Sequence, residues 1–166
     1  MATAGINLSD YDASKLPNVI SKKIGVLVSE WNPEITNALA KGAIDTLLQN
    51  NIPASHIAIE HVPGAFELPS AANMMLASNL VDAVICIGSV IRGETEHFTF
   101  VCEAAAQGIK DVSVKFNSPV IFCVLTDDHL QQSIDRSGGK HGNKGVEAAV
   151  AAIKMLGLKD RILMAK

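Results

Sequence analysis

The residues best equipped for chemistry stand directly behind apolar runs. After "VDAVICI" comes "GSVIRGETEHF", residues 88–98, which crowds Arg92, Glu94, Thr95, Glu96 and His97 into six positions. The sole tryptophan, Trp31, lies in "SEWNPE" behind another such run, and "VPGAFELP" carries Phe66 and Glu67 behind a third. A flat aromatic can stack on a ring, and a carboxylate can accept hydrogen bonds from hydroxyls. A Gly-x-Thr helix start offers free N–H groups to an anion, and a histidine can take up and return a proton near neutral pH. Further along, "DRSGGKHGNKG" brings Arg136, Lys140 and Lys144 into a glycine-rich turn, where a guanidinium fork could grip a phosphate. Taken alone, each element also has a plainer reading: Trp31 as a lid over a sheet edge, Pro63 and Gly64 as a turn, Thr95 as an N-cap, the basic turn as a solvated connection. Together they point to a small, partly flat, anionic ligand.

Four short β-branched runs must carry these groups: "IGVLV" (24–28), "IAIEHV" (57–62), "AVICIGSV" (83–90) and "VIFCVL" (120–125). Between them, apolar residues recur at helical spacing through Ile35, Leu39, Ala43 and Leu47, then over about 67–78, then from Val101 to Val112. Two more helical stretches follow the last run, over about 128–136 and 143–156. Alternating strands and helices, with strands apolar throughout, predict a parallel sheet covered on both faces, a three-layer α/β/α sandwich. Ligands bind such sheets at the carboxyl ends of the strands, which is where the polar groups fall. Residues 1–21 bury too little to belong to the core and are expected to form an arm ahead of a single domain spanning 22–166. The alanine-rich "EAAVAAIKM" permits close helix approach, for the core or for a subunit interface.

The composition is that of one ordinary domain: 166 residues, 48% hydrophobic, with a formal net charge of −3. Nothing in that charge recommends nucleic acid or a membrane surface as a partner. The start shows no basic segment followed by an apolar one, and no run of about 18 apolar residues occurs, so a soluble cytoplasmic protein is expected. Cys86, Cys102 and Cys123 form no C-x-x-C pair and are expected to be buried free thiols. The five histidines make no H-E-x-x-H or H-x3-H pair, which leaves a metal site without support. The basic turn lacks the GK[ST] ending of a P-loop, and G-x-G-x-x-G is absent.

Read in order, "EWNPEITNALAKGA", "VPGAFELP", "IGSVIRGETEHF", "VCEAAAQGI", "PVIFCVLT" and "DRSGGKHGNKGVEAA" resemble the 6,7-dimethyl-8-ribityllumazine synthase family over roughly residues 22–157. The resemblance implies a flavodoxin-like fold and the condensation of 5-amino-6-(D-ribitylamino)uracil with 3,4-dihydroxy-2-butanone 4-phosphate, in the penultimate step of riboflavin biosynthesis, without cofactor or metal. It implies that Trp31 stacks on the pyrimidine, that Ala65, Phe66 and Glu67 hold the ribityl chain, and that Ser89, Val90 and Ile91 surround the uracil. Glu94, in a backbone role, and Thr95 would mark the helix start at the phosphate, and His97 would move protons. Phe122 and Arg136 would come from a neighbouring subunit, with Lys144 a further cation nearby. The arm would add a strand to that neighbour's sheet in a homo-pentamer. The compact "GGKHGNKG" turn is similar to that of members whose pentamers close into a sixty-subunit icosahedral shell, with riboflavin synthase as an associated partner. Two other classes of function fit the same architecture: a flavin- or nucleotide-binding module, which would not need His97, and a catalytically silent shell protein, in which the polar edge would be eroded.

Overall fold

The computed structural model describes Asn7 and residues 9–165. Strand β1 (Ile24–Ser29) is buried at all six positions, because it lies inside the sheet and beneath helices on both faces. It pairs in parallel with β2 (Ile57–Val62) on one side and β3 (Ala83–Ile91) on the other, with Val26 opposite Ile59 and Ile85. Strand β4 (Val120–Asp127) pairs in parallel with β3, which gives the order β2-β1-β3-β4. As an edge, β2 keeps Ile59, Glu60 and His61 exposed. The sandwich expected from the alternation of elements is the one observed, with α1 (Pro33–Gln49), α2 (Leu68–Ala77), α3 (His97–Phe116) and α5 (Lys144–Met164) as its outer layers.

The pleat sorts each strand between two cores. Ile24, Val26, Val28, Ile85, Ile87 and Cys123 face Leu39 and Leu47 of α1 and Ile153 and Leu156 of α5. Leu27, Val84, Cys86, Val120 and Val124 face Leu68 and Ala72 of α2 and Ile109 and Val112 of α3. The alanine face of α5 is spent within the first core, where Ala148, Ala149 and Ala152 are all buried. Helices α1 and α5 approach so closely that a Cβ on Gly145 would stand 1.9 Å from the Leu39 carbonyl oxygen.

The basic turn folds as a small antiparallel hairpin, β5 (Ser137–Gly139) and β6 (Gly142–Asn143), a detail not read from the sequence. Gly138 (φ 124°) and Gly142 (φ 81°) occupy backbone conformations that other residues rarely adopt. Asn143 holds the hairpin to α1 by donating to the carbonyls of Ala38 and Ser137, and caps α5 by accepting from the Gly145 N–H. Short helix α4 (Leu130–Arg136) leads into the hairpin, and its Ser133 donates to the buried Asp127 carboxylate at 2.7 Å.

Part of the expected arm, residues 1–6 and 8, lies outside the described residues. The remainder docks on its own chain. Val19 is buried in the first core, the Asn50 amide donates to the Tyr11 hydroxyl, and Pro17 packs where a side chain on Gly157 would stand. These described residues form a 3-10 turn, Ala13–Lys15, and no strand. No helix among the described residues is long and apolar enough to cross a membrane.

Candidate active site

At the carboxyl ends of β1, β2 and β3 the connecting loops diverge and leave a cavity of about 690 Å³. Three connections build it. The turn after β1 carries Trp31 and Asn32, the turn after β2 carries Gly64, Ala65, Phe66 and Glu67, and the end of β3 with the start of α3 supplies Ser89, Val90, Ile91, His97 and Val101. The aromatic, the carboxylate and the imidazole thus meet at one edge of the sheet, as the positions of the polar residues suggest.

Each wall has a local cause. Asn32 adopts the left-handed conformation (φ 56°), which turns the chain sharply between β1 and Pro33 at the head of α1. Its side-chain amide donates to the Ser89 carbonyl at 3.0 Å and ties this turn to β3. Trp31 beside it is 73% exposed, so it is not a buried lid; its ring is open to a ligand. Gly64 lies against that ring and against Glu67, since a Cβ there would stand 3.4 Å from Trp31 Cδ1 and 3.1 Å from Glu67 Oε2. Ala65–Glu67 form a 3-10 turn that leads directly into α2. Gly88 lets this turn approach the sheet, its missing Cβ making room for Ala65 and Leu68.

Strand β3 outruns β1. Their pairing stops at Val28 opposite Ile87, whereas β3 continues with β4 to Ile91 opposite Asp127. Beyond Ile87 the backbone edge on the β1 side is therefore not used by β1, and Asn32 takes only the Ser89 carbonyl. Peptide groups along such an edge can pair with the amide edge of a heterocycle. The Ser89 hydroxyl is buried without a partner among the described residues.

Helix α3 starts at His97, with Glu96 rather than Thr95 in the cap position. Thr95 accepts from the His97 N–H through Oγ1 at 3.4 Å, and Glu94, Thr95 and His97 are all exposed. Val101, one turn beyond His97, completes the apolar floor.

Five residues expected at the site lie outside this cavity. Glu94 and Thr95 precede the helix without lining it. Phe122, on edge strand β4, is 38% exposed and lies between Val120 and Val124 on the same, α2–α3 side of the sheet. Arg136 ends α4 and donates to the Gln132 carbonyl at 2.9 Å. Lys144 opens α5, on the far side of the sheet from α2 and α3, and pairs with Glu147 at 2.7 Å. Among the described residues no lysine or arginine lines the cavity. Gly64 is expected from the sequence only as part of a turn and Val101 only as part of a helical stripe, while Asn32, which directly follows Trp31, is not among the expected site residues.

No three His, Cys, Asp or Glu side chains among the described residues gather as a metal-binding group. Cys86 and Cys123 are fully buried, and desolvation raises both thiols, that of Cys123 to about 12. Cys102 is only partly covered, and burial raises its thiol against the opposing effect of the nearby Arg92 charge.

Comparison with known proteins agrees with this arrangement. The family model described as 6,7-dimethyl-8-ribityllumazine synthase matches residues 21–160. Proteins of that name are similar along nearly the whole chain. The one from Flavobacterium johnsoniae is 55% identical over 97% of this chain and 85% of its own length. Those from Christiangramia forsetii and Porphyromonas gingivalis are each 52% identical over 96% of this chain, and 95% and 99% of their own lengths. With the parallel sheet, the aromatic and carboxylate turns and the histidine at the head of α3 all in place, the chain belongs to the 6,7-dimethyl-8-ribityllumazine synthase family.

Proposed function

We propose that the protein condenses 5-amino-6-(D-ribitylamino)uracil with 3,4-dihydroxy-2-butanone 4-phosphate to 6,7-dimethyl-8-ribityllumazine, releasing phosphate and water. The observation that carries this reading is the convergence of Trp31, Glu67 and His97 on one cavity in a chain of this family. Trp31 stacks on the pyrimidine, the backbone edge of β3 that β1 leaves free, at Ile91 beside Val90, pairs with its amide groups, and Ala65, Phe66 and Glu67 hold the ribityl hydroxyls. The 5-amino group adds to the ketone and loses water to give an imine. Loss of the proton from the hydroxyl-bearing carbon then expels phosphate and leaves an enol, which tautomerises to a ketone; attack of the ribitylamino nitrogen on that carbonyl, with loss of water, closes the ring. His97 relays protons between these steps.

The second substrate brings a phosphate, yet among the described residues no lysine or arginine of its own chain lines the cavity. This supports a site closed by a neighbouring copy, with its Phe122 covering the ring and its Arg136 gripping the phosphate next to the N–H groups of Glu94 and Thr95. Lys144 is a further cation near the site in this scheme, and within its own chain it pairs with Glu147. A homo-pentamer supplies such neighbours in a closed ring, and the compact hairpin at 137–143 is suited to a shell of pentamers able to associate with riboflavin synthase in the cytoplasm.

The test is direct. Purified protein mixed with both substrates should accelerate lumazine formation, followed by absorbance, saturably above the uncatalysed background. A folded, oligomeric protein that gave no acceleration would overturn the proposal.

A further inference from the structure

Arg92 stands at the end of β3 and contacts two separate segments, the end of β4 and the start of α3. Its N–H donates to the Asp127 carbonyl at 2.9 Å, which fixes its backbone to the end of β4. Its Nε donates to Asp128 Oδ1 at 2.8 Å. Its guanidinium carbon lies 4.2 Å from the centroid of the Phe98 ring, on the residue that follows His97.

The first turn of α3 is only weakly capped by its own side chains. Its cap residue, Glu96, makes no side-chain cap bond, and the Thr95 contact to His97 is long at 3.4 Å. A Cβ on Gly93 would meet nothing within 4 Å, so the loop that leads to the helix is unpacked there. Residues 92–97 are all exposed.

We infer that Arg92 is a positioning residue, clamping the first turn of α3, and with it His97, to the ends of β3 and β4; its catalytic consequence rests on the function proposed above. A guanidinium suits the role because its flat face can lie on an aromatic ring while an in-plane N–H binds a carboxylate. Lysine can provide the charge over the ring but not the fixed plane. Misplacement of a proton-transfer group by about 1 Å can cost on the order of 100-fold in rate.

The experiment compares Arg92→Met, Arg92→Lys, Phe98→Leu and the double variant Arg92→Met/Phe98→Leu with the wild type. Two readouts are taken: steady-state kinetics, and amide hydrogen exchange over residues 97–100. Arg92→Met should lower kcat about 10- to 100-fold with the KM for the ribitylaminouracil nearly unchanged, and should speed exchange in the first turn of α3. Arg92→Lys should recover part of both. The double variant should be no worse than the poorer single variant, because both remove one clamp. Unchanged kcat in Arg92→Met, or losses that multiply in the double variant, would overturn the inference. A wild type that made no lumazine would sink the proposed function separately. Exchange would then decide the clamp, with unchanged rates in Arg92→Met counting against it and faster rates in its favour.

Discussion

The side-chain amide of Asn32 donates to the carbonyl of Ser89 at 3.0 Å, joining the turn that carries Trp31 to the strand end that faces the cavity. Two walls of the candidate site are therefore one unit, although 57 residues separate them in the chain. Asn32→Ala removes this bond and leaves a side chain that tolerates the left-handed backbone poorly. Each effect should cost about 1 kcal/mol. The expected outcome is a lower denaturation midpoint and a several-fold higher KM for the ribitylaminouracil, with kcat less affected. Steady-state kinetics beside a thermal melt measures both, and an unaltered KM would separate Trp31 from this hydrogen bond.

His97→Ala should lower turnover by roughly 10² to 10⁴ while ligand affinity is spared, since positioned proton transfer is worth about that much. The loss should lie toward the small end if the amine and the butanone phosphate also react unaided. Arg136→Ala should instead weaken binding of the phosphate-bearing substrate. Titration of each variant with each substrate distinguishes the two roles.

If Arg136 serves the neighbouring copy, these two variants should complement each other. Co-assembled in equal amounts from denaturant, they should regain about a quarter of the wild-type sites, because a quarter of random neighbour pairs combine an intact His97 with an intact Arg136. Activity no higher than the average of the two separate variants would place both residues in one chain's site.

Gly145→Ala should be strongly destabilising, by about 2 kcal/mol or more, because the added methyl would collide with the Leu39 carbonyl and force α5 away from α1. Gly93→Ala, with open space around it, is the control and should be nearly neutral. Urea titrations of both variants give the comparison.

The buried thiols give stability a pH dependence of known sign. An unfolded cysteine ionises near 9.0, whereas Cys123 in the fold is raised to about 12 and Cys86 is raised as well. Above pH 9 the unfolded chain releases protons that the folded chain retains. Stability should therefore fall as pH rises from 9 toward 12, by up to about 1.4 kcal/mol per pH unit for each thiol. Urea midpoints at about pH 8.5 and 10.5 should differ less in Cys123→Ala than in the wild type, whatever the cavity does to the absolute values. An equal difference would show that other groups carry the pH response.

The layered fold was legible because its elements advertise themselves. Runs such as "AVICIGSV" can be satisfied only inside a sheet covered on both faces, and the 3.6-residue stripe from Ile35 to Leu47 only by a helix lying on it. Trp31, Glu67 and His97 could be assigned to a common edge without coordinates, since in a parallel sheet every strand delivers its following loop to the same end. Tertiary structure alone decided which side chains on that edge meet. Asn32 and Gly64 entered the site through a left-handed turn and a close approach to Trp31, neither of which has a period in sequence. The side of the sheet on which Phe122 and Lys144 fall depends on strand alternation and on how α5 packs against α1. The alanine face of α5 suits an interface as well as a core by spacing alone, and only the packing of Ala148, Ala149 and Ala152 into the first core decides between them. Spacing along a chain specifies which residues share an element, but the convergence of separate loops is set by packing between elements distant in sequence, and that exists only in the folded molecule.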